Sequence, residues 1–406
     1  MRIIVQKFGG TSVVSPEARL ALAGKVKEAL AAGLVPVVVV SAMGRTGDPY
    51  ATDTLIKLLK SEGGVPDTRE LDLAMSCGEL LSVAVVTQTL RAQGIEAKGY
   101  TGGQAGILTD HVYGGARILE IRPDALRSTL DNGIVAVVAG FQGMTADGEI
   151  TTLGRGASDT TAAALGVALK AEVVEIYTDV DGVMTADPRL VAKAKPLETM
   201  TYTEIFEMAH LGAKVVHPRA VEIAMEGRVP LRIRSTFSPS PGTLVTDIRS
   251  IAGVEIKHDK VVTGLAYISQ VALIKLVSAE DVNATGKVVE IFNAMAAAGI
   301  SVDMIHVMPF NISFIVKEDK LEQAVTLLSA LVTCIETQNE VAKVSVVGAG
   351  MRGVPGVMAR VVASLYKAGI AILQSTDSHT NISCLVGAKD MSQAMDALHD
   401  EFGLGA

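Results

Sequence analysis

Short β-branched runs alternate with stretches of helical periodicity over residues 1 to about 245. The runs stop at glycine or polar clusters and read "IIV" before Lys7, "VPVVVV" before Ser41, "IVAVVAG" before Phe141 and "VVEIY" before Thr178. Continuous apolar strands separated by helices are typical of a parallel sheet covered on both faces. The pattern predicts an α/β layer sandwich, in which ligands collect at the carboxyl ends of the strands.

The chain beyond residue 247 contains an internal repeat. Before it, "STFSPSPGTLVTD" at 235–247 is rich in Ser, Pro, Thr and Gly and predicts a linker that leaves the α/β domain. Shifted by 70 residues, "VALIKLV" (271–277) aligns with "VAKVSVV" (341–347), and "NISFIV" aligns with "NISCLV". Each copy reads strand, helix, strand, strand, helix, which is most of a ferredoxin-like βαββαβ unit. Two such units predict a module that holds a small ligand, with a scaffold or dimerisation module as the alternative.

Length, charge and cysteines narrow the function classes. The 406 residues suffice for two or three domains, and the 49% hydrophobic residues supply buried cores. A net charge of −8 disfavours nucleic-acid and membrane-surface partners, whose phosphates need a basic footprint, and makes small molecules the expected partners. Cys77, Cys334 and Cys384 lack metal-ligand spacing and predict reduced core thiols. "MRIIVQKFGG" has too short an apolar run for a signal peptide and no stretch approaches the ~18 apolar residues of a membrane span, so we expect a cytoplasmic protein.

Two polar clusters that follow predicted strands suit a phosphorylated ligand. In "VQKFGGTSV" (5–13), a strand ends at Lys7 and is followed by two glycines, so a cation and closely approaching backbone amides lie together. The spacing is not that of a Walker A loop, and an ordinary turn is the alternative. "SAMGRTGD" (41–48) offers donors, a cation and flexibility for a loop over a ligand, with a solvated loop as the alternative.

Two further stretches place charge where a helix is expected to begin. In "MSCGELLSVAVV" (75–86) we expect Glu79 in the first turn of an apolar helix, either stabilising the helix dipole or binding an ammonium group. In "TTLGRGASDTTAAAL" (151–165), Ser158 or Asp159 can cap the helix, but Arg155 between two glycines suits a carboxylate or phosphate.

The stretch "YTDVDGVMTADPR" (177–189) is rich in turn residues. It suits a nucleotide-seating loop, with Lys214 as a second cation, whereas "DVDG" lacks the rest of a calcium loop. No metal site is therefore predicted from the residues. His217 is expected to be structural because no nucleophile pairs with it in the sequence.

Taken in order, "KFGGTSV", "SAMG", "CGE", "AGFQG", "TTLGRGASDTTA", "YTDVDGVMTADPR" and "GAKVVHPRA" resemble the aspartate kinases of the amino acid kinase superfamily. The resemblance covers the whole chain, and the repeat resembles the paired ACT domains of that family. It implies an amino acid kinase α/β/α sandwich over 1–245 and two ferredoxin-like ACT domains over 258–338 and 339–406. A nested arrangement, in which 258–268 completes the second ACT sheet, is the alternative.

The resemblance implies that MgATP phosphorylates the β-carboxylate of L-aspartate to 4-phospho-L-aspartate, for lysine and diaminopimelate, threonine and methionine synthesis. ATP and Mg²⁺ are the implied cofactors. A carboxylate is already a nucleophile at neutral pH, so the enzyme has to align two anions rather than supply a base. The absence of a Ser/His/Asp or Cys/His set agrees with this chemistry.

The resemblance also implies a role for each matching position. The implied catalytic residues are Lys7, which would also hold ATP phosphates, and Asp159. The implied aspartate-binding residues are Ser41, Thr46, Glu79, Arg155, Gly156 and Ser158. The implied nucleotide-binding residues are Lys7, Gly9, Gly10, Thr178, Asp179, Met184, Asp187, Arg189 and Lys214.

Feedback regulation by an end-product amino acid at the ACT domains is implied as well. The matching positions are Asn283, Gly286, Val357, Met358, Ala371, Ile372, Ser378 and His379. Around Asn283 the sequence departs from the Pro-Gly helix entry that "VPGV" keeps at 354–357. This departure argues against a second effector site. The sequence is most similar to the diaminopimelate-sensitive branch, with lysine and threonine as alternative effectors, and a homo-oligomer through the ACT domains is expected.

Two other functions are alternatives to this interpretation. One is an amino acid kinase that acts on glutamate or a nucleoside monophosphate, against which the ACT repeat and "GRGASD" argue. The other is a catalytically silent amino-acid sensor, which would leave Lys7, Arg155 and Asp159 without a purpose.

Overall fold

The computed structural model describes residues 1–154, 156–213, 215–247, 261–278, 286–351 and 353–406, and these divide into two compact units. The first unit takes in the described residues among 1–183, 196–209 and 214–256. The second unit takes in those among 184–195, 210–213 and 257–406. A short stretch of the N-terminal half, 184–195, therefore packs with the C-terminal unit.

The described residues of the first unit form twelve strands in two sheets. The strands are β1 Ile3–Phe8, β2 Val35–Val40, β3 Ala97–Tyr100, β4 Ile107–Thr109, β5 Ile118–Ile121, β6 Val135–Ala139, β7 Gln142–Met144, β8 Ile150–Thr152, β9 Val173–Thr178, β10 Thr199–Thr201, β11 Leu231–Ser235 and β12 Thr243–Thr246. The eight-stranded sheet has the order β10-β12-β11-β9-β1-β2-β6-β3, and the four-stranded sheet has the order β5-β4-β7-β8.

The centre of the large sheet is parallel and buried, as the sequence predicts. β1 pairs in parallel with β2 on one side and with β9 on the other, so that Phe8 is level with both Val40 and Tyr177. The four valines of 37–40 are fully buried, because β-branched side chains pack well on both faces of a covered parallel strand. The loops that follow β1, β2 and β9 therefore leave the same edge of the sheet, side by side.

One predicted feature of this unit is wrong. The stretch at 235–247 is not a linker, because it closes a hairpin in which β12 runs antiparallel to β11 and parallel to β10. Its Pro and Gly residues form the turn of that hairpin, which leaves the sheet with an antiparallel strand near one edge.

In the part of the first unit that the structure describes, seven helices cover the sheets. They are α1 Pro16–Ala31, α2 Thr52–Ser61, α3 Thr68–Ala92, α4 Asp124–Asp131, α5 Ala157–Leu169, α6 Tyr202–His210 and α7 Pro218–Glu226. α1 begins with a side-chain cap and a proline: the Ser15 hydroxyl accepts a hydrogen bond from the Ala18 amide, and Pro16 occupies the first helical position.

Helix α3 is the longest of the described helices. Its 25 residues are long and apolar enough to cross a membrane by length and composition alone, a test that buried core helices also pass. This finding differs from the expectation that no stretch of the chain approaches the length of a membrane span. In this molecule α3 buries Val83, Val86 and Leu90 in a core cluster with β2 and β6.

The second unit shows the strand–helix–strand–strand–helix order twice, which confirms the ferredoxin-like prediction. Its elements are β13 Gly264–Val277, α8 Lys287–Ala297, β14 Asp303–Met308, β15 Asn311–Lys317, α9 Leu321–Leu328, β16 Cys334–Val347, α10 Val357–Lys367, β17 Gln374–Asp377, β18 Asn381–Gly387 and α11 Met391–Glu401. They form one six-stranded sheet of order β14-β15-β13-β16-β18-β17. The long strands β13 and β16 pair in the centre, and 264–268 lies beside 343–347, which in turn pairs with β18.

The three cysteines are free thiols, but only one lies in a core. Cys384 is buried, whereas Cys77 and Cys334 are exposed, so the predicted core location is wrong for two of them. Burial raises the pKa of the Cys384 thiol to about 11, which keeps it protonated and unreactive at neutral pH.

Candidate active site

The ends of β1, β2 and β9 bring three polar loops together. The Gly9 amide donates to the Tyr177 carbonyl over 3.4 Å, and the Gly44 amide donates to the Gly10 carbonyl over 3.2 Å. A Cβ on Gly10 would lie 2.5 Å from the Gly44 carbonyl oxygen and 2.8 Å from that of Ala42. Residue 10 has to be glycine because two backbones meet there, which distinguishes the loop from an ordinary turn.

A buried ion pair lies at this edge. Lys7 Nζ is 2.7 Å from Asp159 Oδ1, and the two side chains are only 13% and 11% exposed. The other carboxylate oxygen of Asp159 accepts the His217 amide over 3.0 Å. The predicted catalytic pair is therefore in direct contact, and a carboxylate held from both sides fixes the position of the lysine ammonium.

Helix α5 begins differently from the sequence prediction. Neither Ser158 nor Asp159 caps it: the N-cap is Gly156, with φ of 78° and no side-chain hydrogen bond, and both predicted caps lie buried inside the first turn. A Cβ on Gly156 would lie 2.5 Å from Cδ2 of His217, so this position combines a left-handed backbone with a close approach. His217 accepts the Arg219 amide at its Nδ1 and thereby caps α7, which agrees with its predicted structural role.

Glu79 lies in the middle of α3, not in the first turn as predicted, because α3 already begins at Thr68 with Asp67 as its N-cap. Its Oε1 accepts the Ala42 amide over 2.9 Å, whereas its Oε2 is buried without a hydrogen-bond partner among the described residues. Desolvation raises the pKa of this carboxyl to about 8. A buried acid with one open oxygen is suited to receive an ammonium group.

The loop after β2 crosses to the loop after β9 through an ion pair that the sequence did not predict. Arg45 Nη2 lies 2.7 Å from Asp179 Oδ2, with the two side chains 70% and 48% exposed. The Arg45 amide donates to Asp48, and the Thr46 hydroxyl donates to Asp53 over 2.6 Å. Because β1 lies between β2 and β9, this pair crosses the end of the loop after β1 that contains Gly9 and Gly10, the glycine loop.

Asp72 is a second residue that the sequence analysis missed. Its fully buried carboxylate accepts hydrogen bonds from Thr152, the last residue of β8, and from Gly114 between β4 and β5. The available signal was its position seven residues before Glu79, which places both acids on one face of a helix.

The remaining predicted substrate-binding and nucleotide-binding residues lie in different parts of the chain. Arg155 and Lys214 lie outside the described residues. Ser41 is half-buried and its amide donates to the Phe8 carbonyl over 3.1 Å, and Thr178 donates to Asp179 over 3.1 Å. These two positions belong to the same edge of the large sheet as Lys7.

Three of the predicted nucleotide-binding residues, Met184, Asp187 and Arg189, belong to the second unit. Arg189 lies 2.6 Å from Asp187 and its hydrogen bonds hold the pKa of that carboxyl below its usual range, and the Tyr267 hydroxyl donates to the same carboxylate over 3.3 Å. Nearby, Val191 is buried in a core cluster of that unit. The structure therefore does not group these residues with Lys7 in one compact unit.

Models of known families match both parts of the chain. The model of the amino acid kinase family matches residues 2–235, and the ACT domain model matches 268–330 and 336–400. Aspartokinase 1 of Bacillus subtilis (strain 168) is 49% identical over 404 residues and the match covers all of both chains. This chain belongs to the aspartokinase family.

Solved structures of the family are similar over the whole chain. E. coli aspartokinase III in complex with aspartate and ADP (R-state) has a TM-score of 0.79 at 27% identity, covering 98% of this chain and 99% of that one. The complex of the same enzyme with lysine and aspartate (T-state) has a TM-score of 0.77 at 27% identity, with the same coverage. The predicted family resemblance and the predicted fold class are confirmed.

In the second unit, most of the predicted effector positions lie at α10 and near the turn between β17 and β18. Val357 is the first residue of α10 and packs with Met358 and Ile372 on one hydrophobic cluster. The Ser378 hydroxyl accepts the amides of Thr380 and Asn381 in the turn between β17 and β18. The other predicted positions are Ala371 and His379 beside these elements, Gly286 before α8, and Asn283, which lies outside the described residues.

The site fits a magnesium nucleotide by the charge of its groups. The described residues contain no cluster of three or more His, Cys, Asp or Glu side chains arranged to hold a metal ion. Lys7 and the amides of the glycine loop can bind the phosphates, and the carboxylate of Asp159 lies beside Lys7. A Mg²⁺ ion in such a site is held largely by the phosphates it accompanies.

Proposed function

We propose that this chain transfers the γ-phosphoryl group of ATP to the β-carboxylate of L-aspartate, giving 4-phospho-L-aspartate and ADP. The observation that carries the proposal is the position of Ala42. Its amide donates to Glu79, and its carbonyl lies against Gly10, so one residue separates an open buried carboxylate from the glycine loop. An ammonium site next to a phosphate site is what an amino-acid kinase requires.

The proposed step needs no general base. A β-carboxylate oxygen forms a bond to the γ-phosphorus as the bond from that phosphorus to the bridging oxygen breaks, and ADP leaves with the electron pair. Lys7, held by Asp159, stabilises the negative charge on the transferring group. When bound, Mg²⁺ supplies further neutralisation of the phosphates.

We assign the substrate's α-ammonium to Glu79 and its α-carboxylate to Arg155, beside Gly156 and Ser158. The reacting carboxylate and the phosphates already take up Lys7, so the carboxylate that is not phosphorylated needs its own cation. Ser41 and Thr46 contribute polar groups from the loop after β2. The proposed nucleotide contacts from the first unit are Lys7, Gly9, Gly10, Thr178, Asp179 and Lys214.

We further infer feedback inhibition by an end-product amino acid bound at the ACT domains over 258–338 and 339–406. The positions around Val357, Ile372 and Ser378 support one effector site, and the lysine complex of E. coli aspartokinase III in its T-state supports an amino-acid effector. Diaminopimelate is the first effector to test, followed by lysine and threonine. A homo-oligomer through the ACT domains and a cytoplasmic location belong to the same proposal.

The deciding experiment traps the acyl phosphate. With ATP, Mg²⁺ and hydroxylamine, L-aspartate should yield aspartyl hydroxamate, and L-glutamate should not. A product from glutamate alone would overturn the substrate. Effector binding without any phosphoryl transfer would instead favour a silent sensor.

A further inference from the structure

The carboxylate of Asp72 is completely buried, and both of its oxygens accept hydrogen bonds. Its Oδ1 accepts the Thr152 hydroxyl over 2.6 Å, its Oδ2 accepts the Thr152 amide over 2.7 Å, and the Gly114 amide lies 3.0 Å from both oxygens. The side chain has no exposed surface. No cation faces it in these contacts, so backbone and hydroxyl donors balance the cost of burying the charge.

These bonds fasten a short segment that leads to the proposed carboxylate site. Thr152 ends β8, three residues before Arg155, and its carbonyl accepts the Ala116 amide over 2.9 Å. The next residue, Leu153, donates its amide to the Phe141 carbonyl over 2.9 Å. Asp72 is thus the side chain that ties the end of β8 to α3.

The same face of α3 carries the proposed ammonium site. Asp72, Ser76 and Glu79 are all buried and follow each other at helical spacing, and the Ser76 carbonyl accepts Nε2 of Gln142 over 3.1 Å. Seven residues of α-helix measure about 10 Å along the axis. Because a helix is stiff, the two carboxylates keep a fixed separation.

We propose that Asp72 is a positioning residue that holds the end of β8, from Thr152 to Gly154, in register with Glu79. Helix α3 then sets the distance between the end of β8 and the proposed ammonium site at Glu79, and this distance contributes to the selection of L-aspartate. This inference rests on the proposed roles of Glu79 and Arg155.

The test is Asp72→Asn in the full-length enzyme. The amide nitrogen would bring N–H groups against N–H donors of Thr152 or Gly114, so the segment loses its register. We expect kcat/KM for L-aspartate to fall about tenfold to 100-fold, since small misplacements have effects of that size. The KM for ATP should stay unchanged.

A comparison of substrates separates positioning from a merely structural role. L-Aspartate α-amide lacks the carboxylate assigned to Arg155, so kcat/KM for it should hardly respond to Asp72→Asn. The preference for L-aspartate over its α-amide should therefore shrink about tenfold. A structural role would lower the active fraction and leave that preference unchanged, and this result would overturn the proposal.

Three further variants keep the test decisive if Asp72→Asn does not fold. Thr152→Val removes one donor and should weaken the preference in the same direction, whereas Thr152→Ser keeps the hydroxyl and serves as the matched control. Arg155→Gln tests the underlying assignment. If Arg155→Gln leaves the preference for L-aspartate intact, the proposed role of Arg155 fails. If Arg155→Gln weakens the preference but Asp72→Asn and Thr152→Val do not, the positioning inference alone fails.

Discussion

Asp72 and Glu79 are both buried on α3, but they differ in how their carboxylates are satisfied. Asp72 accepts three donors from the protein, whereas Glu79 accepts one and keeps a second oxygen open. Desolvation accordingly raises the pKa of Glu79 to about 8. Asp72 serves the architecture of the site. Glu79 lowers the stability of the fold but keeps an oxygen open for the ammonium group of the substrate.

Removing the lysine of the Lys7–Asp159 pair gives the largest expected effect, because Asp159 depends on a side-chain cation that Asp72 does not need. Lys7→Met leaves the buried carboxylate without its cation, which should lower the free energy of unfolding by about 3–5 kcal/mol. It should also lower kcat by about 10²–10³-fold through lost stabilisation of charge. Urea denaturation and the hydroxamate assay measure the two quantities.

The double variant Lys7→Met with Asp159→Asn is the control. It removes the buried charge together with its partner, so stability should largely return while kcat stays low. If the double variant is as unstable as the single one, lost packing rather than unpaired charge is the cause.

Glu79→Gln should move stability and function in opposite directions. The neutral amide keeps an acceptor for the Ala42 amide and removes the buried charge, so the melting temperature should rise at pH 8 or above. Without a carboxylate for the ammonium, kcat/KM for L-aspartate should fall about 100-fold, with the KM for ATP unchanged. A loss of stability in this variant would contradict the comparison with Asp72.

The pH dependence follows from the same raised pKa. Between the ordinary value of 4.5 and about 8 the folded state binds more protons at Glu79 than the unfolded state, so its contribution to stability falls as pH rises through this window. The ionised form is the one that binds ammonium, so kcat/KM for L-aspartate should rise up to about pH 8. Glu79→Gln should show neither dependence, as measured by pH profiles of melting and of kcat/KM.

The sequence predicts the site's backbone better than its side-chain contacts. The buried valine runs predict parallel strands whose ends meet, and this places Lys7, Gly10 and Ser41 at one edge. The repeat predicts two ferredoxin-like units because both copies retain the same order of apolar and polar positions. These features depend on local periodicity, which a single sequence shows directly.

The missed features depend on partners far away in the chain. Asp72 and Thr152 are 80 residues apart, and Arg45 and Asp179 are 134 apart, so spacing along the chain carries no sign of either contact. The start of α3 was misplaced because the apolar run at 75–86 was considered without the capping Asp67 upstream. The start of α5 was misplaced because a left-handed Gly156 replaces a side-chain cap.

The smallest effect is expected for Arg45→Ala, the exposed counterpart of the buried pairs. Arg45 and Asp179 are 70% and 48% exposed, so water and salt screen their attraction, and the free energy of unfolding should change by less than about 1 kcal/mol. Thr46→Val, which removes the neighbouring contact with Asp53, is the matched control in the same loop. Urea denaturation at low and high salt measures both variants. A loss as large as that of Lys7→Met would show that position at the sheet edge, rather than burial, determines how much a charged contact contributes to stability here.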